Sequence, residues 1–188
     1  MKDLQEIEYV LGEDDDFGLQ AISIVDVPAI GEEFIMLKKQ EPTFLAKIED
    51  KQLLVGALLI PEQRIYRRNE DGKEFNMFVT HETINDLTQK FMRDGNQNEF
   101  TLQHEEKLID LSVQEIWLVA DSKKDKSAVY GFDYPVGTLM AITHVKDSDQ
   151  WNTLKDSDVK GYSVEMMLTP RQTNLSNITL VSNFLNNK

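Results

Sequence analysis

The segment spanning residues 158–167, DVKGYSVEMM, carries one serine between a glycine-led turn and an apolar run. A serine presented by a short strand becomes a nucleophile when a general base reaches its hydroxyl; without one it is an ordinary strand residue. The chain has no cysteine, which excludes a disulfide framework, a thiolate zinc site and a cysteine nucleophile together. Chemistry must then rest on oxygen nucleophiles, histidine or carboxylates. Bases are few, since the only histidines are His81, His104 and His144. Imidazole titrates at about 6.5 when unperturbed, close to the working pH of a general base. His81 falls beside a helix start, where a solvated or cap-associated role fits. His144 ends an apolar strand and shares a face with Met140 and Ile142. His104 ends the strand FTLQH, on the face of Leu102 and Phe100 by period-two alternation.

A third group is needed to orient the imidazole and stabilise its charged form. Glu115 is one candidate: it lies inside the otherwise apolar VQEIWLV of the strand that returns after His104, and a buried carboxylate requires a partner. The local pattern alone fits an outward-facing glutamate better. Glu165 shares a face with Ser163 and is a second candidate with the same weakness. The chain has no glycine-rich phosphate loop and no His-Glu-x-x-His helix, and Gly161-Tyr162-Ser163-Val164-Glu165 lacks the second glycine of a nucleophile elbow. Nucleotide enzymes, zinc proteases and α/β-hydrolases lose weight accordingly.

Positioning these groups requires a set of short strands. LQAISIV (19–25), LLVGALLI (53–60, ended by Pro61), two strands joined around Asp71-Gly72, EFTLQH, VQEIWLVAD, TLMAITHV and YSVEMML all read as strands. EEKLIDLS reads as a polar connection and SKKDKSAVYGFDYPVG as a loop. Two amphipathic helices interrupt them. THETINDLTQKFMRDG sets Ile84, Leu87 and Phe91 on one face, with Thr80 as cap and Gly95 past the end; a shorter helix has Asp147 as cap and Trp151 and Leu154 inward. No strand–helix alternation repeats, so the expected class is α+β, a small, mostly antiparallel β-barrel decorated by helices. One domain is expected over 1–188, with 1–16 an N-terminal arm and 170–188 a C-terminal extension.

Composition narrows the partners. A net charge of −13 repels a phosphate backbone, so nucleic acid is a poor partner and a protein with basic patches a better one. The longest apolar run is strand-sized and the N-terminus is acidic, so neither a membrane span nor a secretory signal is expected. The acidic EDDD at 13–16 lacks the ligand positions of a calcium loop, and no cofactor or metal is expected.

Taken in order, GLQAISIVDVPAIG, LLVGALLIPEQRIYRR, LQHE, VQEIWLVAD, GTLMAITHV and VKGYSVEMML resemble the XkdF-like serine proteases of tailed phages, over roughly 17–168. These are similar to prohead maturation proteases, whose fold is that of herpesvirus assemblin. The resemblance implies a head-maturation serine endopeptidase with His104 as base and Ser163 as nucleophile. Its substrates would be scaffold and capsid protein, and the protease itself, inside the assembling prohead in the host cytoplasm, with self-association or crowding in the head as activator. Glu115 matches the glutamate that such chains carry in the equivalent strand and is the expected third member, with Glu165 and His144 behind it. Many phage relatives place an acid in a strand of the type EVSVV-x-x-PA; the nearest match here, QAISIVDVPA, has Ala21 at that position and lies at the N-terminus, as if permuted. A non-catalytic head-assembly protein retaining the protease fold is the alternative.

Overall fold

In the computed structural model, residues 4–26, 46–48, 51–69 and 71–171 are described. The strands are β1 (Gln5–Val10), β2 (Gly18–Val25), β3 (Ala46–Ile48), β4 (Leu53–Leu59), β5 (Ile65–Arg68), β6 (Glu74–Phe78), β7 (Phe100–Leu102), β8 (Glu106–Leu108), β9 (Leu111–Leu118), β10 (Leu139–Val145), β11 (Gly161–Met167) and β12 (Thr169–Arg171). The helices are α1 (His81–Asp94), α2 (Lys126–Val129) and α3 (Ser148–Asp156). The α+β class is as expected.

The described strands do not close into a barrel. They form three open four-stranded sheets, in the orders β12-β1-β6-β5, β3-β4-β10-β9 and β11-β2-β7-β8. Closure would need a ladder between β11 and β4, which lie beside each other without strand pairing. Two pairings, β1 with β6 and β2 with β7, are parallel. Residues 5–10, expected in an arm, form β1 between β6 and β12, and β12 takes up Pro170 and Arg171 of the expected extension. Val27-Pro28, a pair whose sequence forces an extended or turn conformation after β2, lies outside the described residues.

Local chemistry accounts for most elements. Thr80 caps α1 by accepting from the Thr83 N–H, and Gly95 closes it in the left-handed region at φ 84°. Ile84, Leu87 and Phe91, at helical spacing, are fully buried beside Leu19, Ile22, Ile24 and Phe100 of the main core. Asp147 caps α3 by accepting from the Gln150 N–H, and Trp151 and Leu154 face inward. Besides β1, the sequence reading missed β3, β12 and β8, the last in a segment that reads as polar, and α2, inside the expected loop. α2 is held by Asp125, whose carboxylate accepts from the Ser127 and Ala120 N–H groups and the Trp117 indole at 2.9, 3.1 and 2.9 Å.

β11 is fixed to the neighbouring sheet by one phenol. Tyr162 OH donates to the Leu54 carbonyl at 3.0 Å and shares a 2.6 Å hydrogen bond with Thr143 Oγ1. Tyr162 and Thr143 are both buried, and burial pushes the phenol pKa above its ordinary value. Tyr162→Phe keeps the ring and strands the buried Thr143 hydroxyl. The expected cost is about 1–3 kcal/mol, read as a lower urea midpoint at unchanged m-value.

Asp125 gives a pH-dependent counterpart. Burial pushes its carboxyl pKa up, and the Ser127, Ala120 and Trp117 hydrogen bonds more than reverse this, leaving it below the ordinary carboxylate value. A depressed folded-state pKa contributes stability above the unfolded value of about 3.9, lost as pH falls through the folded value. Asp125→Ala should cost about 1 kcal/mol near neutrality by thermal melting, with the gap to the parent chain narrowing below pH 4, roughly the unfolded-state value.

Candidate active site

Strand register builds the site. β11 runs antiparallel to β2 with Ser163 opposite Ser23 and Glu165 opposite Ala21. β2 runs parallel to β7 with Ser23 opposite Thr101. Residues directly across a sheet share a face, so one face carries Ser163, Glu165, Ala21, Ser23 and Thr101. The other face sends Tyr162, Ile22, Ile24 and Phe100 into the core. Neighbouring strands are about 5 Å apart, so β11, β2 and β7 set these polar groups in a compact row.

His104 reaches this face from a turn and not from a strand, which corrects the alternation argument. β7 ends at Leu102, and Gln103 and His104 both adopt left-handed backbone, at φ 54° and 62°, in the hairpin to β8. The turn is closed by Glu105 N–H donating to the Leu102 carbonyl and tied to β2 by Gln103 N–H donating to the Ile24 carbonyl, each at 3.0 Å. The His104 N–H donates to Ser23 Oγ at 2.9 Å, and Ser23 Oγ in turn donates to the Thr101 carbonyl at 3.4 Å. Left-handed backbone is costly for a residue with a Cβ, so hydrogen bonds to β2 hold the strained His104 backbone, and with it the imidazole, in place.

The imidazole meets a carboxylate there. His104 Nδ1 lies 3.3 Å from Glu165 Oε1, and Thr101 Oγ1 donates to the same oxygen at 2.5 Å. A carboxylate at Nδ1 favours the tautomer protonated on that nitrogen and leaves Nε2 as the proton acceptor. Both side chains are partly open to solvent, at 43% for His104 and 34% for Glu165, so the contact contributes little to stability and acts by orientation.

The structure brings Glu165, and not Glu115, to His104. Glu115, on β9 of another sheet, pairs with Lys126 and makes no contact with His104. Its strand is turned so that the carboxylate meets a cation at the surface, which satisfies it without a histidine. Glu165 takes the position at His104, opposite Ala21, where the resemblance places an acid. His144 sits on β10 between Leu53 and Ser112 and lines a separate cleft with Lys107, Asp110 and Lys146. Arg171 pairs with Glu8 at 3.6 Å. Ser23 and Thr101 were not anticipated; the signal for Glu165 was its spacing of two from Ser163.

Ser163 is 7% exposed, and among the described residues its Oγ has no hydrogen-bond partner. No hydrogen bond joins it to His104, and proton transfer between the two would need a side-chain rotation or a bridging water. Among the described residues no group of His, Asp and Glu is arranged to hold a metal ion, and no helix is long and apolar enough to cross a membrane.

The strained turn generates a stability test. His104→Gly should raise stability by up to about 1 kcal/mol, because glycine adopts left-handed backbone without the Cβ penalty and the lost ion pair is solvent-screened. Ser23→Ala should lower it by about 1 kcal/mol through the orphaned His104 N–H. Urea unfolding of the two variants reads both signs.

No curated protein and no solved structure matches the chain. The family described as "Putative phage serine protease XkdF" matches residues 41–169, which include Ser163, His104, Glu165 and Glu115. The match begins after β2, the strand that carries Ser23 and Ala21 between Ser163 and Thr101. Since it spans well over half of the 188 residues, the chain belongs to this phage protein family.

Proposed function

We propose that the chain is a serine endopeptidase of phage head maturation, with Ser163 as nucleophile, His104 as general base and Glu165 as the acid that orients it. The observation that carries this reading is the 3.3 Å contact of Glu165 with His104 Nδ1 on the sheet face that bears Ser163. In the reaction, Ser163 Oγ adds to a peptide carbonyl as its proton passes to His104 Nε2. The imidazolium, held by Glu165, returns that proton to the leaving amine, and water repeats the sequence on the acyl-enzyme. Ser23 and Thr101 act through position, the first holding the His104 backbone and the second the Glu165 carboxylate.

Membership in the phage family supports scaffold and capsid protein as substrates, cut inside the assembling prohead in the host cytoplasm, together with the protease itself. Mass action inside the head, by crowding or self-association, would then favour the active form. The approach of β11 to β4 supports kinship with the assemblin barrel, opened along that seam. One observation favours a second reading, a head-assembly protein that keeps the fold without the activity: Ser163 and His104 share no hydrogen bond.

Intact-mass measurement after co-expression with the capsid and scaffold proteins of the same phage separates the two readings. Cleavage products in the parent chain should vanish in Ser163→Ala, fall by roughly 100-fold or more in Glu165→Gln, and persist in Glu115→Gln. Unchanged masses throughout, with heads still assembling, would favour the structural reading.

A further inference from the structure

Arg67 on β5 is a half-buried guanidinium with one hydrogen bond, donated by Nη1 to the Tyr66 carbonyl at 3.0 Å. Guanidinium has five N–H donors, and among the described residues no carboxylate lies within ion-pair distance of Arg67. Acids outnumber bases 33 to 20 in this chain, so an arginine without one is not explained by scarcity. Its neighbour Arg64 has two, Glu6 and Glu62, at 2.9 and 3.0 Å. Burial pushes the Arg67 pKa below its ordinary value, an effect that Tyr9 only partly opposes.

Arg67 lines a cavity between β11 and the wall formed by β4, β5 and β6, and Ser163 belongs to the same lining. The rest is largely apolar, with Leu58, Ile65, Met77 and Val164 among the contributors. At about 50 Å³ it suits the tip of one side chain, whereas small-molecule sites usually take roughly 300 Å³ or more. Among the described residues β11 is the edge strand of its sheet, paired with β2 on one side and, on the other, lying beside β4 without strand pairing. An unpaired strand edge is the feature to which an extended peptide adds by main-chain hydrogen bonds, with alternate side chains seated in pockets.

We propose that this cavity receives an acidic side chain, Asp or Glu, of an extended polypeptide laid along β11, with the Arg67 guanidinium as its ionic partner. The inference rests on the Ser163 reading for calling that polypeptide a substrate, and it makes Arg67 a specificity residue. Charge complementarity selects the occupant: a bidentate carboxylate fills guanidinium donors that water or an apolar group leaves weakly used.

Binding separates this inference from the proteolytic reading. Fluorescein-labelled peptides with random flanks and one fixed Glu, Gln or Lys are titrated by anisotropy into full-length Ser163→Ala, which leaves them uncut. Glu peptides should bind about tenfold more tightly than Gln peptides, and Lys peptides most weakly. Arg67→Met should abolish the difference while folding at least as stably as the parent, because it removes a half-buried charge with no carboxylate partner. Arg67→Lys should retain part of it. Equal binding of Glu and Gln peptides, or discrimination that survives Arg67→Met, would overturn the proposal, as would inorganic phosphate displacing Glu peptides at equal concentration, the mark of a simple anion site. A loss of stability in Arg67→Met would assign the arginine a structural role instead. Absence of Ser163-dependent cleavage, with the Glu preference intact, would count against the protease and leave the acidic-peptide site standing.

Discussion

A single buried phenol couples the strand that carries the candidate nucleophile to the sheet beside it. Tyr162 reaches across from β11 to the Leu54 carbonyl on β4 and to Thr143 on β10. Because β11 and β4 share no strand pairing, this bond and the apolar contacts around it define how the two sheets meet. Side chains alternate across a strand, so fixing Tyr162 inward fixes Ser163 and Glu165 on the opposite face. A one-residue slip of β11 would exchange those faces and bury the carboxylate.

The polar row then depends on a strained turn. His104 adopts backbone that a residue with a Cβ occupies at a cost, and the Ser23 hydroxyl and the Ile24 carbonyl hold the turn against that cost. The arrangement keeps the imidazole near Glu165 while both side chains stay partly wet, so the contact serves orientation more than stability. The outer edge of β11 has a different character, with an apolar cavity and a guanidinium that no acid among the described residues neutralises.

Family membership and geometry bear on separate questions. The match over residues 41–169 identifies the kind of chain, and it leaves out β2, which supplies Ser23 and stands between Ser163 and Thr101. With Ala21 opposite Glu165, an acid lies on this face although the residue at the expected position is apolar. Because side chains directly opposite on neighbouring strands share a face, Glu165 of β11 and Ala21 of β2 belong to the same row.

Local sequence determined α1, α3 and most strands, since capping residues, helical spacing and alternation are short-range properties. Thr80 and Gly95 bound α1, and the apolar runs of β4 and β10 are buried as their composition requires. Ser163, His104 and Glu165 were all legible as candidates from residue type and phase. Local pattern left undecided which acid meets the histidine: Glu115 and Glu165 both sit in apolar strands, and only pairing places the first beside Lys126 and the second beside His104. It also missed the His104 turn, because FTLQH alternates convincingly until tertiary hydrogen bonds to β2 impose left-handed backbone on its last two residues. Open sheets in place of a closed barrel were decided at the same level, because a ladder between β11 and β4 depends on distances between strands more than 100 residues apart.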